Sequence, residues 1–149
     1  MMENQELRRA GLKITFPRLM ILGVLENSEP HHMSAEGIYR TLVQMGKDIG
    51  LATVYRVLSQ FEASGLVKRN NFDDGHCVFE INQGRHHDHL VCVICGKVEE
   101  FIDDVIESRQ VSIAKRSNFI MTNHSLTIYG ICQPCKRCSF TNTKHIEIK

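Results

Sequence analysis

Two stretches near the start of the chain repeat apolar residues at helical spacing. Thr15 and Pro17 open the first stretch, whose apolar residues run to Leu25, and this pattern predicts a capped helix of about three turns. Ser34 opens the second stretch, which has an acidic residue in its first turn and Gly46 placed to end it. Because both stretches are apolar along one side, we expect both helices to pack into a core.

A third stretch, over residues 51–64, has two different faces. Its apolar positions fall on one stripe of a helix: Leu51, Val54, Leu58 and Phe61. At about 100° per residue, Arg56 and Ser59 lie opposite that stripe. Thr53 and Tyr55 flank it. We therefore expect a helix with one buried face and one face directed to solvent.

The chain then changes to strand-like patterns. Residues 66–71 and 76–81 are two such runs, and the Asp74-Gly75 pair between them is a hairpin signal. Three helices followed by a β-hairpin are the arrangement of a winged helix-turn-helix. We therefore predict a winged helix-turn-helix domain over residues 1–83.

Strands and one helix alternate after a boundary near Gly84. We expect strands over residues 90–92, 98–102, 119–122 and 125–132. A helix over residues 103–117, capped by aspartate, lies between them. This order predicts an α/β domain over residues 84–138, followed by a flexible polar tail over residues 139–149. The expected fold class is α+β.

Composition narrows the possible classes of protein without choosing one. The 149 residues are 42% hydrophobic and 23% charged, as in globular proteins. No apolar run approaches the ~18 residues of a membrane span, and the chain start lacks the basic and apolar stretches of a signal peptide. We therefore expect a cytoplasmic protein without a membrane partner. Because the net charge is only +1, any nucleic-acid surface must be a local stripe.

Two Cys-x-x-Cys pairs are the strongest chemical signal in the chain. Cys92 and Cys95 form the first pair, and Cys132 and Cys135 form the second. In a reducing cytoplasm, thiolates on two tight turns predict a closed, tetrahedral structural zinc site rather than disulfides. The alternative is a pair of redox motifs, which would need a helix start in a βαβ setting. Cys138 competes with Cys135 as the fourth ligand, and this choice stays open.

His86-His87-Asp88-His89 is the second chemical signal. In an extended chain, alternate side chains point to opposite faces, so His87 and His89 face one way and His86 and Asp88 the other. One segment could therefore serve two separate metal sites. The alternative is that this polar segment is simply solvated surface.

Four segments together resemble the ferric uptake regulator family in order and spacing. They are ATVYRVL over residues 52–58, HHDH over 86–89, CVICGK over 92–97 and TNHSL over 122–126. The resemblance covers roughly residues 7–135. It implies a DNA-binding winged helix followed by an α/β dimerisation domain that holds a structural zinc.

The resemblance also implies two further metal sites. The family's regulatory site, with donors from both domains, maps onto His32, Glu80, His87, His89 and Glu100. Its second site maps onto His86, Asp88, Glu107 and His124. An ion in the regulatory site would select one angle between the domains, which in a twofold dimer sets the spacing of two recognition helices.

The expected partner is double-stranded DNA. A homodimer implies a palindromic operator, expected to be A·T-rich, with a tetramer as the alternative assembly. On the third helix we expect Tyr55 to contact thymine methyl groups and Arg56 to bond base edges or phosphates. Thr53 and Ser59 are the expected phosphate partners. Lys13 resembles the family lysine that enters an A·T-rich minor groove.

The residue types of the implied regulatory site do not identify the signalling metal uniquely. The implied regulatory donors are three imidazoles and two carboxylates, which suit Fe²⁺ or Mn²⁺ and would also accept Zn²⁺. Peroxide-sensing members of the family tend to carry aspartate where Glu80 and Glu100 stand. This difference favours Fe²⁺ and a repressor of iron-uptake genes. Zinc-sensing and manganese-sensing regulators are the alternatives.

Two other classes of function are compatible with a zinc-binding chain. A zinc hydrolase or deaminase would need an open coordination position and a motif such as His-Glu-x-x-His, which the sequence lacks. A zinc-stabilised interaction module would need no DNA-binding surface. We therefore expect a regulator, not an enzyme.

Overall fold

A computed structural model describes residues 2–29, 31–73 and 75–139 of the chain. It separates into two compact units, Met1–Arg85 and His86–Lys149. The predicted flexible tail over residues 139–149 lies outside the described residues, except for Ser139. Among the helices of the described part, none is long and apolar enough to cross a membrane.

The first unit contains helices followed by a two-stranded sheet. Its elements are α1 (Met2–Arg9), α2 (Phe16–Glu26), α3 (Ala35–Gln44), α4 (Leu51–Ala63), β1 (Val67–Asn71) and β2 (Cys77–Ile81). Helices α2 to α4 and the hairpin of β1 and β2 form the predicted winged helix-turn-helix. Helix α1 is not among the predicted elements because its sequence is mostly polar. Leu7, which is fully buried, fixes α1 to the core.

The helices of the first unit begin and end close to where the sequence predicts. Thr15 precedes α2 in an extended conformation, with Pro17 in the first turn, but the Thr15 side chain makes no capping hydrogen bond. At the start of α3, the Ser34 hydroxyl accepts a hydrogen bond from the Gly37 N–H at 3.0 Å. Gly65 follows α4 with a φ of 76°, in the left-handed region that favours glycine.

One apolar core holds the first unit together. Leu22 of α2, Leu42 of α3 and Phe61 of α4 are fully buried within it. Strand β1 pairs antiparallel with β2 in a register that sets Val67 opposite Ile81, as the hairpin signal predicts. Because α4 buries one face in this core, its opposite face is directed to solvent.

The second unit is built around a three-stranded sheet. Its elements are β3 (Asp88–Cys92), β4 (Val98–Phe101), α5 (Asp104–Arg116), β5 (Thr127–Gly130) and α6 (Gln133–Ser139). The strand order is β4-β3-β5, with β3 antiparallel to β4 and parallel to β5. Helix α5 connects β4 to β5, and the Asp103 carboxylate caps it by accepting hydrogen bonds from Val105 and Ile106 N–H groups.

Two expectations for the second unit are wrong. Residues 119–122 do not form a strand, although the apolar run from Phe119 predicts one. A strand needs a hydrogen-bonding neighbour, and among the described residues nothing pairs with this segment. The second Cys-x-x-Cys pair is expected in a tight turn, but Cys132 directly precedes helix α6 and Cys135 lies in its first turn.

The second unit leaves many apolar side chains in solvent. Helix α5 has no buried residue, and the segment that follows it exposes 73% of Phe119 and 92% of Ile120. Leu90 of β3 and Ile128 of β5 are opposite each other in the sheet and are both exposed. Exposed apolar side chains in this number are typical of a protein interface.

Candidate metal sites and nucleic-acid interface

The cysteines of the two Cys-x-x-Cys pairs form one cluster at the end of the sheet. Strand β3 ends at Cys92, and its register with β5 sets Cys92 opposite Gly130, two residues before Cys132. Both pairs therefore leave the sheet at the same end. The sulfur atoms of Cys92, Cys95, Cys132 and Cys135 all lie within 4.8 Å of one another.

The surroundings of the thiols favour a negative charge at the sheet end. Burial raises the pKa of Cys92, but backbone N–H groups of Cys132, Cys95 and Ile94 hydrogen-bond its sulfur and lower that pKa to about 6. A hydrogen bond with Cys132 raises the pKa of Cys135 to about 12. A divalent cation that binds thiolates would favour the ionised form of the cysteines that hold it. The donor set fits zinc.

The sequence leaves open whether Cys135 or Cys138 is the fourth zinc ligand, and the positions of these residues in helix α6 favour one of them. The cluster of sulfur atoms includes Cys135. Cys138 lies three residues further along the same helix, and its side chain is exposed. Cys135 is therefore the better candidate for the fourth ligand.

A second cluster lies on one side of β3. The His86 Nε2 atom is 3.3 Å from Asp88 Oδ1 and 3.2 Å from Glu107 Oε1. The Nε2 atom of His124 lies 2.9 Å from Glu107 Oε2. The rings of His86 and His124 are in contact, with centroids 4.1 Å apart. Glu107 comes from the first turn of α5, so strand, helix and loop each supply donors.

Asp88 is the most informative member of this cluster. Its side chain is completely buried, and within the described part of the chain neither carboxylate oxygen has a hydrogen-bond partner. Glu107 Oε1 and His86 Nε2 are also buried without a hydrogen-bond partner. The donor atoms of His86, Glu107 and His124 all lie within 4.8 Å of one another, so one divalent cation could bind all three, and the buried Asp88 carboxylate lies beside His86. Nitrogen and oxygen donors of this kind fit Mn²⁺, Fe²⁺ or Zn²⁺.

The other predicted residues of the second unit lie on the opposite side of β3. His89 is directly opposite Glu100 of β4 in the antiparallel register, so both side chains point to the same face. His87 is near both of them. Its ring centroid is 4.9 Å from that of His89, and its Nε2 atom is 3.6 Å from Glu100 Oε1.

The remaining predicted ligands, His32 and Glu80, belong to the first unit. Met33 and Phe79 form an isolated antiparallel bridge through two backbone hydrogen bonds, of 3.0 and 2.8 Å. This bridge sets the preceding His32 opposite the following Glu80, and the His32 Nε2 atom is 2.6 Å from Glu80 Oε2. Local periodicity gives no signal for such a pair, because the two residues are distant in sequence.

The solvent face of α4 carries the predicted nucleic-acid contacts. Tyr55 is 44% exposed, Arg56 and Ser59 are exposed, and Thr53 is half-buried. Arg56 Nη2 lies 3.5 Å from the Thr53 hydroxyl, at the limit of a hydrogen bond. Lys13, in the loop between α1 and α2, is also exposed.

One acidic residue beside this face is absent from the predictions. The Tyr55 hydroxyl donates a hydrogen bond to the Glu36 carboxylate of α3. This bond lowers the pKa of Glu36 and raises the pKa of Tyr55. The ring of Tyr55 is therefore held in one orientation. Because Tyr55 and Glu36 lie on different helices, the spacing of residues within one helix does not predict this contact.

Comparison with known proteins shows which family this chain resembles in sequence and in structure. A sequence model of the ferric uptake regulator family matches residues 9–129. The ferric uptake regulation protein of Legionella pneumophila is 62% identical over 136 residues, which are 91% of this chain and 100% of that protein. The crystal structure of the Vibrio cholerae ferric uptake regulator is similar, with a TM-score of 0.81 and 56% identity over 87% of this chain and 98% of that chain. The Pseudomonas aeruginosa ferric uptake regulator, solved with manganese, gives a TM-score of 0.73 and 53% identity over 89% and 99%.

The cysteine cluster leads to a prediction about stability. Replacing Cys92 or Cys135 with serine should remove one zinc per chain and unfold the second unit, because structural zinc contributes on the order of 10 kcal/mol to folding. Metal analysis and circular dichroism of the purified variants measure both effects. Cys138→Ser is the matched control and should keep its zinc. Loss of zinc from Cys138→Ser, with retention in Cys135→Ser, would show that the fourth ligand is misassigned.

The buried carboxylate of Asp88 leads to a second prediction. In a His32→Ala background, Mn²⁺ at about 100 times its dissociation constant should stabilise the protein by ~2.7 kcal/mol, and Asp88→Asn should abolish this gain. Without added metal, Asp88→Asn should be as stable as its parent or more stable, since a neutral amide is less costly to bury than a carboxylate. Thermal unfolding measures both.

Asp104→Asn, which changes an exposed carboxylate in the same helix as Glu107, is the control for this experiment. It should keep the full response to Mn²⁺. An Asp88→Asn variant that Mn²⁺ stabilises as much as its parent would contradict the assignment.

Proposed function

The chain belongs to the ferric uptake regulator family, and from this premise we propose that it is a metal-responsive DNA-binding repressor of iron-uptake genes. The observation that carries the proposal is the separation of donors on the two sides of β3, one group beside α5 and the other beside Glu100. One strand thus offers two nitrogen and oxygen donor sets in addition to the cysteine cluster. A chain that only needed zinc for its fold would not require them.

The proposed regulatory site takes His32 and Glu80 from the first unit and His87, His89 and Glu100 from the second. Within the first unit, the short distance between His32 and Glu80 supports the proposal, since their donor atoms already converge. Within the second unit, the shared face of the other three residues supports it in the same way. When bound, the ion supplies positive charge that these donors share. The donors of the two units would then be held together, which selects one arrangement of the DNA-binding helices.

The zinc in this proposal is structural, and the site that includes Asp88 is auxiliary. A site closed by cysteine sulfurs leaves no coordination position for a reaction, which argues against a hydrolase or deaminase. The cluster of His86, Asp88, Glu107 and His124 lies entirely within the second unit. An ion bound there would therefore stabilise that unit without linking it to the DNA-binding unit.

We propose that the active form is a homodimer that binds a palindromic, A·T-rich operator in the cytoplasm. The exposed apolar surface around α5, Phe119 and Ile120 supports dimerisation through the second unit. Each protomer would place α4 in the major groove, with Tyr55 against thymine methyl groups and Arg56 on base edges or phosphates. Thr53 and Ser59 would contact phosphates, and Lys13 would enter the minor groove.

Fe²⁺ is the proposed signal, with Mn²⁺ and Zn²⁺ as the alternatives. The regulatory donors include no thiolate, so ligand type alone does not reject Mn²⁺ or Zn²⁺. The names of the relatives and the two glutamates, Glu80 and Glu100, favour Fe²⁺. The manganese in the Pseudomonas aeruginosa structure supports the view that such a site also accepts Mn²⁺.

The DNA-facing surface leads to a prediction about affinity. Arg56→Ala should weaken operator binding by about 1 to 3 kcal/mol if the guanidinium contacts a base, and it should reduce the preference for operator over random DNA. Gel shifts with metal present, at several salt concentrations, measure both. Arg116→Ala, at the end of α5, is the charge-matched control and should bind normally. Equal affinity of the unaltered protein for operator and random DNA would refute the proposal.

The regulatory site leads to a prediction about metal response. Anaerobic titration of the zinc-containing dimer with buffered Fe²⁺ should activate operator binding at a free concentration that a cell sustains. His32→Ala and His89→Ala should lose activation but keep their fold, whereas His31→Ala, an exposed neighbour, should respond normally. His124→Ala should have a milder effect. If only Zn²⁺ activates at physiological free concentrations, the iron assignment is wrong and the rest of the proposal stands.

A further inference from the structure

Arg18 joins two elements of the first unit that both carry predicted DNA contacts. Its Nε and Nη2 atoms donate to the side-chain oxygen of Gln60, at 3.3 and 2.8 Å. Its Nη1 atom donates to the backbone oxygen of Lys13 at 2.6 Å. Gln60 lies in α4, one turn after Arg56 and on the same side of that helix. One guanidinium therefore connects the loop that carries Lys13 to the helix that carries Tyr55 and Arg56.

The chemistry of arginine explains why this connection is rigid. The guanidinium is planar, so one edge directed at Gln60 fixes the direction of the opposite Nη1 atom. Lysine, with one flexible ammonium, has no such fixed geometry. Arg18 also lies in the first turn of α2, which contains no acidic residue. A cation is unfavourable at that end of the helix dipole, so its interactions with Gln60 and Lys13 must offset a cost.

The loop between α1 and α2 is fixed on both sides of Lys13. On one side, the Leu12 N–H donates to the Leu7 carbonyl oxygen at 2.8 Å, and Leu7 is fully buried. On the other side, Thr15 begins α2 in an extended conformation. The bond from Arg18 to the Lys13 carbonyl oxygen holds the exposed middle of the loop. Lys13 thus has a defined backbone position, although its own side chain is exposed.

We propose that Arg18 and Gln60 are positioning residues that set the distance between the minor-groove lysine and the major-groove helix. This inference rests on the proposed DNA contact of Lys13. The Arg18 guanidinium holds both the loop that carries Lys13 and helix α4. The loop is therefore ordered in the absence of DNA, and DNA binding does not pay the entropic cost of ordering it. Breaking the connection would leave the Lys13 charge in place but remove much of its contribution to affinity.

Gln60→Met is the decisive variant because it removes the acceptor for Arg18 and changes no charge. The slope of log affinity against log salt reports the number of cationic contacts, and losing one contact in each half-site lowers it by about 2 in a dimer. Lys13→Ala should show that decrease, with roughly a tenfold loss of affinity at moderate salt. Gln60→Met should show a similar decrease in slope, although it deletes no cation. The double variant should lose no more than Lys13→Ala alone.

Two further variants separate this inference from a general effect on folding. Arg18→Lys keeps the charge but loses the planar fork, so it should behave like Gln60→Met. Gln44→Met, the same substitution at an exposed position at the end of α3, should bind normally with an unchanged slope. In the DNA-free protein, hydrogen exchange of residues 11–15 should be faster in Gln60→Met and Arg18→Lys than in the control.

The possible results distinguish the inference from the function on which it rests. If Lys13→Ala binds DNA normally, the proposed minor-groove contact is wrong and the inference falls with it. If Lys13→Ala weakens binding but Gln60→Met keeps the full salt slope, only the positioning role is overturned. In that case Gln60 or Arg18 acts independently, and its effect should add to that of Lys13→Ala.

Discussion

The pairing of β3 with both β4 and β5 is the constraint on which the second unit depends. Because β3 is the central strand, its backbone is hydrogen-bonded on both sides and its alternation cannot slip by one residue. Such a slip would exchange the faces of His89 and Asp88 and separate each from its partners. The same register places Cys92 at the end of the strand, beside the turn after β5. The pairing of β3 therefore positions one residue of each proposed metal site: Cys92, Asp88 and His89.

The second unit holds buried ionisable groups at its proposed metal sites. The Asp88 carboxylate and the Cys92 thiol are both buried. Burial raises the pKa of the Cys92 thiol, but backbone hydrogen bonds to its sulfur lower that pKa by more. No residue of helix α5 is fully buried, so apolar packing by this helix inside one chain is limited. Under the proposed function, ions that bind the folded state and not the unfolded chain would add stability to this unit. The unit is thus expected to be stable as a loaded dimer rather than as a metal-free protomer.

Local signals in the sequence predicted most elements, including the strands of both sheets, but not which segment lacks a strand partner or which distant residues converge. Ser34 and Asp103 cap helices as expected, because a cap is formed by neighbours within a few residues. The run from Phe119 has the composition of a strand, yet a strand depends on a second segment that composition cannot supply. The convergence of His32 on Glu80 depends on a long-range bridge, and only the family resemblance anticipated it. The same limit hid the contact of Arg18 with Gln60, because these two residues belong to different helices and are distant in sequence.

A net charge of +1 is compatible with DNA binding only if the few cations involved are well placed. A strongly basic domain gains affinity from many interchangeable contacts, so the loss of one matters little. In this chain the predicted DNA contacts depend on a small number of side chains. Two of the predicted contact residues are held in place by hydrogen bonds to other residues. Glu36 fixes the Tyr55 hydroxyl, and Arg18 fixes the backbone of Lys13. Since affinity would then depend on geometry more than on total charge, a change in the relative position of two recognition helices becomes an effective switch. By the reciprocity of linked equilibria, operator DNA should in turn tighten the binding of the signalling metal.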